Sequence, residues 1–275
     1  MDDDKAAAGI DSSVPHSARI WNYWLGGKDN YAVDRAAGDE FVKVMPDIVL
    51  SARQTRAFLK RAVRHLAGEA GIRQFLDVGT GLPTAENTHE VAQSVAPDAH
   101  VAYVAYVDND PLVLAHARAL LTSTPEGRTL YVEADMNEPE AVLRGAAEVL
   151  DLTRPVAVLF LGVLGHVADQ DRARELVRAI LAAVPSGSYL VISDGTPNER
   201  ASAAHDEYAD TGAVAYHLRT PEQLRSFFDG LELVEPGFGP VPLWRPDLDS
   251  RNGVSTVGAP TVGPDAPWGG VARKP

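Results

Sequence analysis

The sequence predicts an α/β fold, doubly wound on a mostly parallel sheet, and three observations predict it. From Gln74 onward, short apolar runs alternate with helical patterns five times, as strand–helix crossovers in a parallel sheet require. One of those runs, "VAVLFLGVL" (156–164), is apolar almost throughout, which suits a central strand covered on both faces. The first run, "QFLDV" (74–78), enters a turn, "GTGLPT", that opens a helix.

Residues 1–15 read as a flexible tail, residues 16–70 as an N-terminal helical lid or cap, and residues 71–275 as the α/β domain. The cap carries Trp21, Tyr23, Trp24 and Tyr31 around a Gly26-Gly27 break. A helix then runs to about Ala67, with Ala52, Leu59, Ala62, Val63 and Leu66 on its buried side and Gly68 and Gly71 ending it. Strands are expected at 74–78, 100–108, 129–134, 156–164 and 188–194, and helices at 84–95, 110–121, 138–150 and 169–184. Asp110 reads as an N-cap and Pro111 as a first-turn proline. Residues 195–219 read as irregular, followed by a helix in "PEQLRSFFDG", a strand in "LELVE", a loop over 245–267 and a last strand in "WGGVAR".

Composition narrows the chemistry. The 275 residues, 45% hydrophobic and 23% charged, suit a globular domain, and the absence of cysteine removes disulfides, thiolate nucleophiles and cysteine-ligated clusters. A net charge of −13 repels a long phosphate backbone. Arg53, Arg56, Lys60 and Arg64 line one side of a helix and read as a solvated face, so no nucleic-acid partner is expected. No run is long enough to span a membrane, and the acidic start lacks the plan of a signal peptide, so a cytoplasmic protein is expected. No metal site is expected, because no close His/Asp/Glu triad has ligand spacing.

Ligands of open α/β sheets sit beyond the carboxyl ends of the strands. After the first strand stand Asp77, Gly79, Thr80 and Gly81, with glycines that let the backbone turn and approach a ligand. The third glycine of a dinucleotide loop is absent. Asp108 and Asn109 follow the second strand, where an acid can accept both hydroxyls of a ribose; a helix cap is the competing reading, and Asp110 fills it. Asp135 and Met136 follow the third strand, placed for an adenine amino group and ring or, equally, for a surface turn.

A glycine turn, acids after strands two and three, and an apolar fourth strand form a layout similar to class I methyltransferases. The stretches "HSARIWNYWLGGKDNY", "FLDVGTGLPT", "YVDNDPLVLAHARALL", "DGLELVEPG", "VPLWRPD" and "GGVARKP" together resemble a bacterial S-adenosyl methyltransferase family, over nearly everything from His16 to Pro275. The resemblance implies a Rossmann-like class I domain over 71–275, with a seven-stranded sheet and an N-terminal helical extension. It also implies S-adenosylmethionine as cofactor and S-adenosylhomocysteine as product. It names no acceptor; a small molecule is expected, and the oligomeric state is left open.

Methyl transfer is an in-line displacement, so alignment and exclusion of water matter most, and a base is needed only where the acceptor loses a proton. His166, Asp194 and Asp169 are the candidates near strand ends. The aromatic block has two readings: a lid of Trp21, Tyr23, Trp24 and Tyr31 over the cofactor and acceptor pocket, with Gly26-Gly27 as pivot and Arg19 or Lys28 reaching the carboxylate of the methionine tail, or a hydrophobic clasp that docks the N-terminal helices on the sheet. Two other functions compete with methyl transfer. A module that binds the cofactor without catalysis leaves no missing base to find. A nicotinamide-dependent oxidoreductase is disfavoured by the incomplete glycine pattern and by Asp108 lying 29 residues beyond Gly79, against roughly 20 in dinucleotide folds.

Overall fold

The computed structural model describes residues 12–82, 87–105, 124–210, 214–246 and 262–275. Helices α1 (Ser17–Trp24), α2 (Ala32–Val44) and α3 (Ile48–Gly68) come first. The His16 ring caps α1 by accepting from the Ala18 amide at 3.2 Å, and the Asp34 carboxylate reaches back to the Tyr31 amide at 2.8 Å to start α2. Along α3 the residues expected on the buried side are buried, as their helical spacing requires.

The sheet contains β1 (Gln74–Val78), β2 (His100–Ala105), β3 (Arg128–Glu133), β4 (Ala157–Leu161), β5 (Tyr189–Asp194), β6 (Glu232–Leu233), β7 (Gly239–Pro240) and β8 (Trp268–Arg273). Its order is β3-β2-β1-β4-β5-β8-β6, with β7 also paired to β8. Strands β1 to β5 are mutually parallel, while β8 runs antiparallel to β5, β6 and β7. Among the described residues there are thus eight strands against seven expected, the two-residue β7 being one of them. The winding reverses between β1 and β4, which opens a crevice beyond their carboxyl ends.

Alternate residues of the central strands feed two cores. Leu76, Val78, Val158, Phe160 and Ile192 pack towards α5 (Pro139–Ala146) and α6 (Gln170–Ala182). Phe75, Val101, Leu159 and Val191 pack towards α3 and α4 (Thr88–Val95). A third core joins the N-terminal helices to α7 (Glu199–Asp210): Ile20, Trp24, Phe41, Met45 and Ile48 pack on its Ala201, Ala204 and Tyr208.

That helix corrects the expectation of an irregular 195–219. Its buried stripe is Ala201, Ala204 and Tyr208, and two alanines give too weak an apolar period to be read without the surface they meet. The expected helix over 221–230 is α8 (Pro221–Arg225) followed by a 3-10 turn, Ser226–Phe228. Helix α5 ends at Ala146, before the expected 150. The expected helix over 110–121, with its cap at Asp110 and Pro111, lies outside the described residues, as do residues 83–86 and 106–108. No helix among the described residues is long and apolar enough to cross a membrane.

Candidate functional site

The crevice between β1 and β4 opens into a cavity whose empty space, open mouth included, is about 1000 Å³. Its floor is the turn after β1. Asp77 is buried and accepts a hydrogen bond from Thr88 at 2.5 Å, which ties the strand end to α4. Burial pushes its carboxyl above the usual range, while Thr88, Arg56 and Thr80 favour the charged form. Gly79 (φ +75°) and Gly81 (φ +66°) both occupy the left-handed region. They differ in surroundings. A Cβ on Gly79 would stand 2.3 Å from the Val163 side chain, whereas one on Gly81 would meet nothing within 4 Å among the described residues. The space beside Gly79 is therefore filled by the β4 loop, whereas no described residue fills the space beside Gly81.

The walls come from three other elements. Thr55, Arg56 and Leu59 on α3 face the cavity, Tyr131 rises from β3, and Gly162, Val163 and His166 follow β4. The Tyr131 hydroxyl is buried without a hydrogen-bond partner among the described residues. Burial, and then the charge on Asp77, holds its pKa well above the ordinary phenol value. Ser17, Ala18, Trp21, Asn22 and Leu25, on α1 and just after it, complete the lining.

A second cavity, with about 760 Å³ of empty space counting its open mouth, adjoins the first and shares Ser17, Trp21, Thr55, Gly162 and His166 with it. Six rings follow one another along its wall. Trp21 packs on Trp24 (5.8 Å between centroids), Trp24 on Phe41 (5.2 Å), Phe41 on His205 (5.1 Å), His205 on Tyr216 (5.3 Å) and Tyr216 on His166 (5.0 Å). Asp194, the last residue of β5, also lines this cavity. Its Oδ1 accepts from the Gly195 amide at 2.9 Å and from the Tyr216 hydroxyl. Oδ2 completes no hydrogen bond among the described residues. Burial raises the Asp194 pKa to about 6, opposed by Tyr216, the Gly195 amide, Arg219 and the Gly165 amide. Arg219 in turn donates to the Leu164 carbonyl at 2.8 Å and to that of Val167, and so fixes the 3-10 turn that carries His166.

The structure brings Asp77, Gly79, Thr80, Gly81 and His166 to the first cavity and Asp194 to the second. Other expected site residues are placed elsewhere. Arg19 is 1% exposed and pairs with Asp34, and Tyr31 lies under its guanidinium at 5.1 Å, so it is committed within the cap. The Tyr23 hydroxyl donates to Asp39 at 2.7 Å, away from the cavity, and Lys28 is exposed. Asp135 accepts from the Asn137 amide at 2.7 Å and from its side chain at 2.9 Å, a turn-forming arrangement. Met136, 1% exposed, packs in the sheet core rather than at a cavity wall. Asp169 caps α6 by accepting from the Arg172 amide at 2.7 Å. Asp108 and Asn109 lie outside the described residues.

Arg56 corrects the sequence reading in the other direction. Expected on a solvated face, it is half-buried against the cavity and donates to Asn87 at 3.3 Å. The spacing Ala52-Thr55-Arg56-Leu59, a single helical face, was the available signal, since the same face carries buried Leu59. Tyr131, Tyr216 and Val163 gave no local signal, because each matters through a partner from another element. Among the described residues no group of His, Asp and Glu is arranged to hold a metal ion.

Comparison with known proteins adds two kinds of likeness. The family model described as S-adenosyl methyltransferase matches residues 3–275. A DUF574 family protein from Streptomyces avermitilis, solved by crystallography, is 46% identical with a TM-score of 0.86, and the match covers 97% of this chain and 100% of that one. A Thermobifida fusca protein, described as a candidate methyltransferase, is 39% identical with a TM-score of 0.85, and the match covers 97% of each chain. Among curated proteins no match was found.

Proposed function

Because this chain belongs to the S-adenosyl methyltransferase family, an enzyme family that uses S-adenosylmethionine, we propose that its first cavity holds that cofactor and that it methylates a small molecule. One observation carries the assignment: the cavity lies beyond β1 and β4, at the winding reversal, and the Gly81 turn borders it with no atom among the described residues where a Cβ would stand. The residues present suit the cofactor. Trp21 and Leu59 offer apolar surface, Tyr131 a buried hydroxyl in need of a partner, and Asp77 and Arg56 opposite charges. Asp108 and Asn109 remain the expected ribose partners on the strength of the sequence.

When bound, the sulfonium supplies an electrophilic methyl group. The protein's share is placement and dryness. Gly79 seats the turn against Val163, Asp77 fixes the strand end to α4, and Trp21 and Asn22 cover the opening. The Asn22 side chain accepts from the Asp29 amide and from Asn30, both at 3.0 Å, so the Gly26-Gly27 turn is pinned to the residue that covers the cavity.

Calorimetry with S-adenosylmethionine, S-adenosylhomocysteine and NAD tests the proposal. The first two are expected to bind at one site and NAD not at all, with Trp21→Ala weakening both. Binding of NAD alone would overturn it.

A further inference from the structure

We propose that the second cavity is the acceptor chamber, that its substrate is a flat, uncharged aromatic compound bearing a hydroxyl, and that Asp194 takes the hydroxyl proton. The inference rests on the cofactor occupying the first cavity. Five residues bound both spaces, so a molecule in the second can present an atom to the first past Gly162, where a Cβ would meet, among the described residues, only the Trp21 ring at 3.6 Å.

The chemistry of the wall selects the substrate class. Six consecutive rings favour a flat apolar body. Of the two carboxylates lining the space, Asp265 is engaged by Asn198 at 2.6 Å and by Arg200 at 3.2 Å. Asp194 keeps one oxygen without a partner among the described residues. Burial lowers the His205 pKa, which keeps that ring neutral, and Arg219 already offsets the charge on Asp194. A cationic substrate would add a second positive charge beside Arg219, whereas a neutral hydroxyl adds none. In the reaction the hydroxyl oxygen forms the new bond to the methyl carbon. The carbon–sulfur bond breaks with its electron pair left on sulfur as a thioether, and the hydroxyl proton passes to Oδ2 of Asp194.

Tyr216 and Arg219 act on Asp194 directly, His166 and His205 pack on Tyr216, and Asp265 lines the same cavity. Burial favours its protonated form, so a binding preference that needs the carboxylate is lost on acidification through about pH 6.

Equilibrium dialysis with 2-naphthol, naphthalene and naphthylmethylammonium, with and without S-adenosylhomocysteine, tests the proposal. At pH 7.5 the protein is expected to hold 2-naphthol about fivefold more tightly than naphthalene, the net worth of one hydrogen bond that naphthalene cannot make. Acidification should remove that preference, and Asp194→Asn should lack it at every pH while binding S-adenosylhomocysteine normally. Tyr216→Phe, which takes away a donor that favours the carboxylate, should move the midpoint of the loss to higher pH. Equal binding of 2-naphthol and naphthalene, preference for the ammonium, or a preference independent of pH would overturn the proposal. Failure of S-adenosylhomocysteine to bind, with the naphthol preference intact, would instead overturn the cofactor assignment.

Discussion

Arg19 and Asp34 face each other across α1 and α2, 3.1 Å apart, with side chains 2% and 0% exposed. Asp34 also accepts from the His16 amide at 2.9 Å and the Tyr31 amide at 2.8 Å, and Arg19 donates to the Val14 carbonyl at 2.6 Å. One buried pair thus ties both ends of the aromatic block together.

Removing one partner strands the other. Arg19→Met is expected to cost about 3–5 kcal/mol, and Arg19→Met with Asp34→Asn distinctly less, as measured by urea unfolding. A cost under about 1 kcal/mol for the single variant would show that the pair does not hold the cap.

The two glycines of the turn should respond unequally to alanine. Gly81→Ala is expected to cost about 1–2 kcal/mol for its backbone conformation alone. Gly79→Ala should add about 1–3 kcal/mol of overpacking against Val163. Thermal unfolding of both variants checks the order, and a reversed order would refute the account of Val163.

Tyr131→Phe should separate stability from binding. Its hydroxyl has no partner among the described residues, so its loss should leave stability unchanged or raise it by up to about 1 kcal/mol. If the hydroxyl serves the cofactor, S-adenosylhomocysteine should bind about five- to tenfold more weakly by calorimetry. Unchanged affinity removes Tyr131 from the cofactor site.

Asp108→Ala is expected to weaken S-adenosylmethionine and S-adenosylhomocysteine alike by about 1–3 kcal/mol, the loss of hydrogen bonds to a ribose. A folded variant with full affinity excludes the ribose assignment.

Asp194 should make stability fall with rising pH. Its folded pKa, about 6, lies above the unfolded value, so the folded state binds more protons between about pH 4 and 6 and loses stability across that window. Urea unfolding of the wild type and Asp194→Asn is expected to diverge by up to about 3 kcal/mol towards neutrality, with the variant the more stable. Parallel profiles would show that the carboxylate titrates as if exposed.

The sequence by itself determined the parallel sheet, the position of the glycine turn, the family and the buried side of α3. These rest on patterns local in the chain: apolar runs, helical periods, and residues that sit where strand ends meet turns. Strand β1 was legible to the residue at 74–78, because an apolar run ending in glycine has few other uses. Only the tertiary structure decided that Arg19 serves Asp34, that Met136 enters the core, that Arg56 faces the cavity and that α7 is a helix. It also decided that Gly165 accommodates Tyr216, whose ring would stand 2.4 Å from a Cβ there. In each of these cases the deciding partner arrives from a distant part of the chain. Packing then sets which polar atom is satisfied and which is left buried without a partner, and no local period or spacing records that choice.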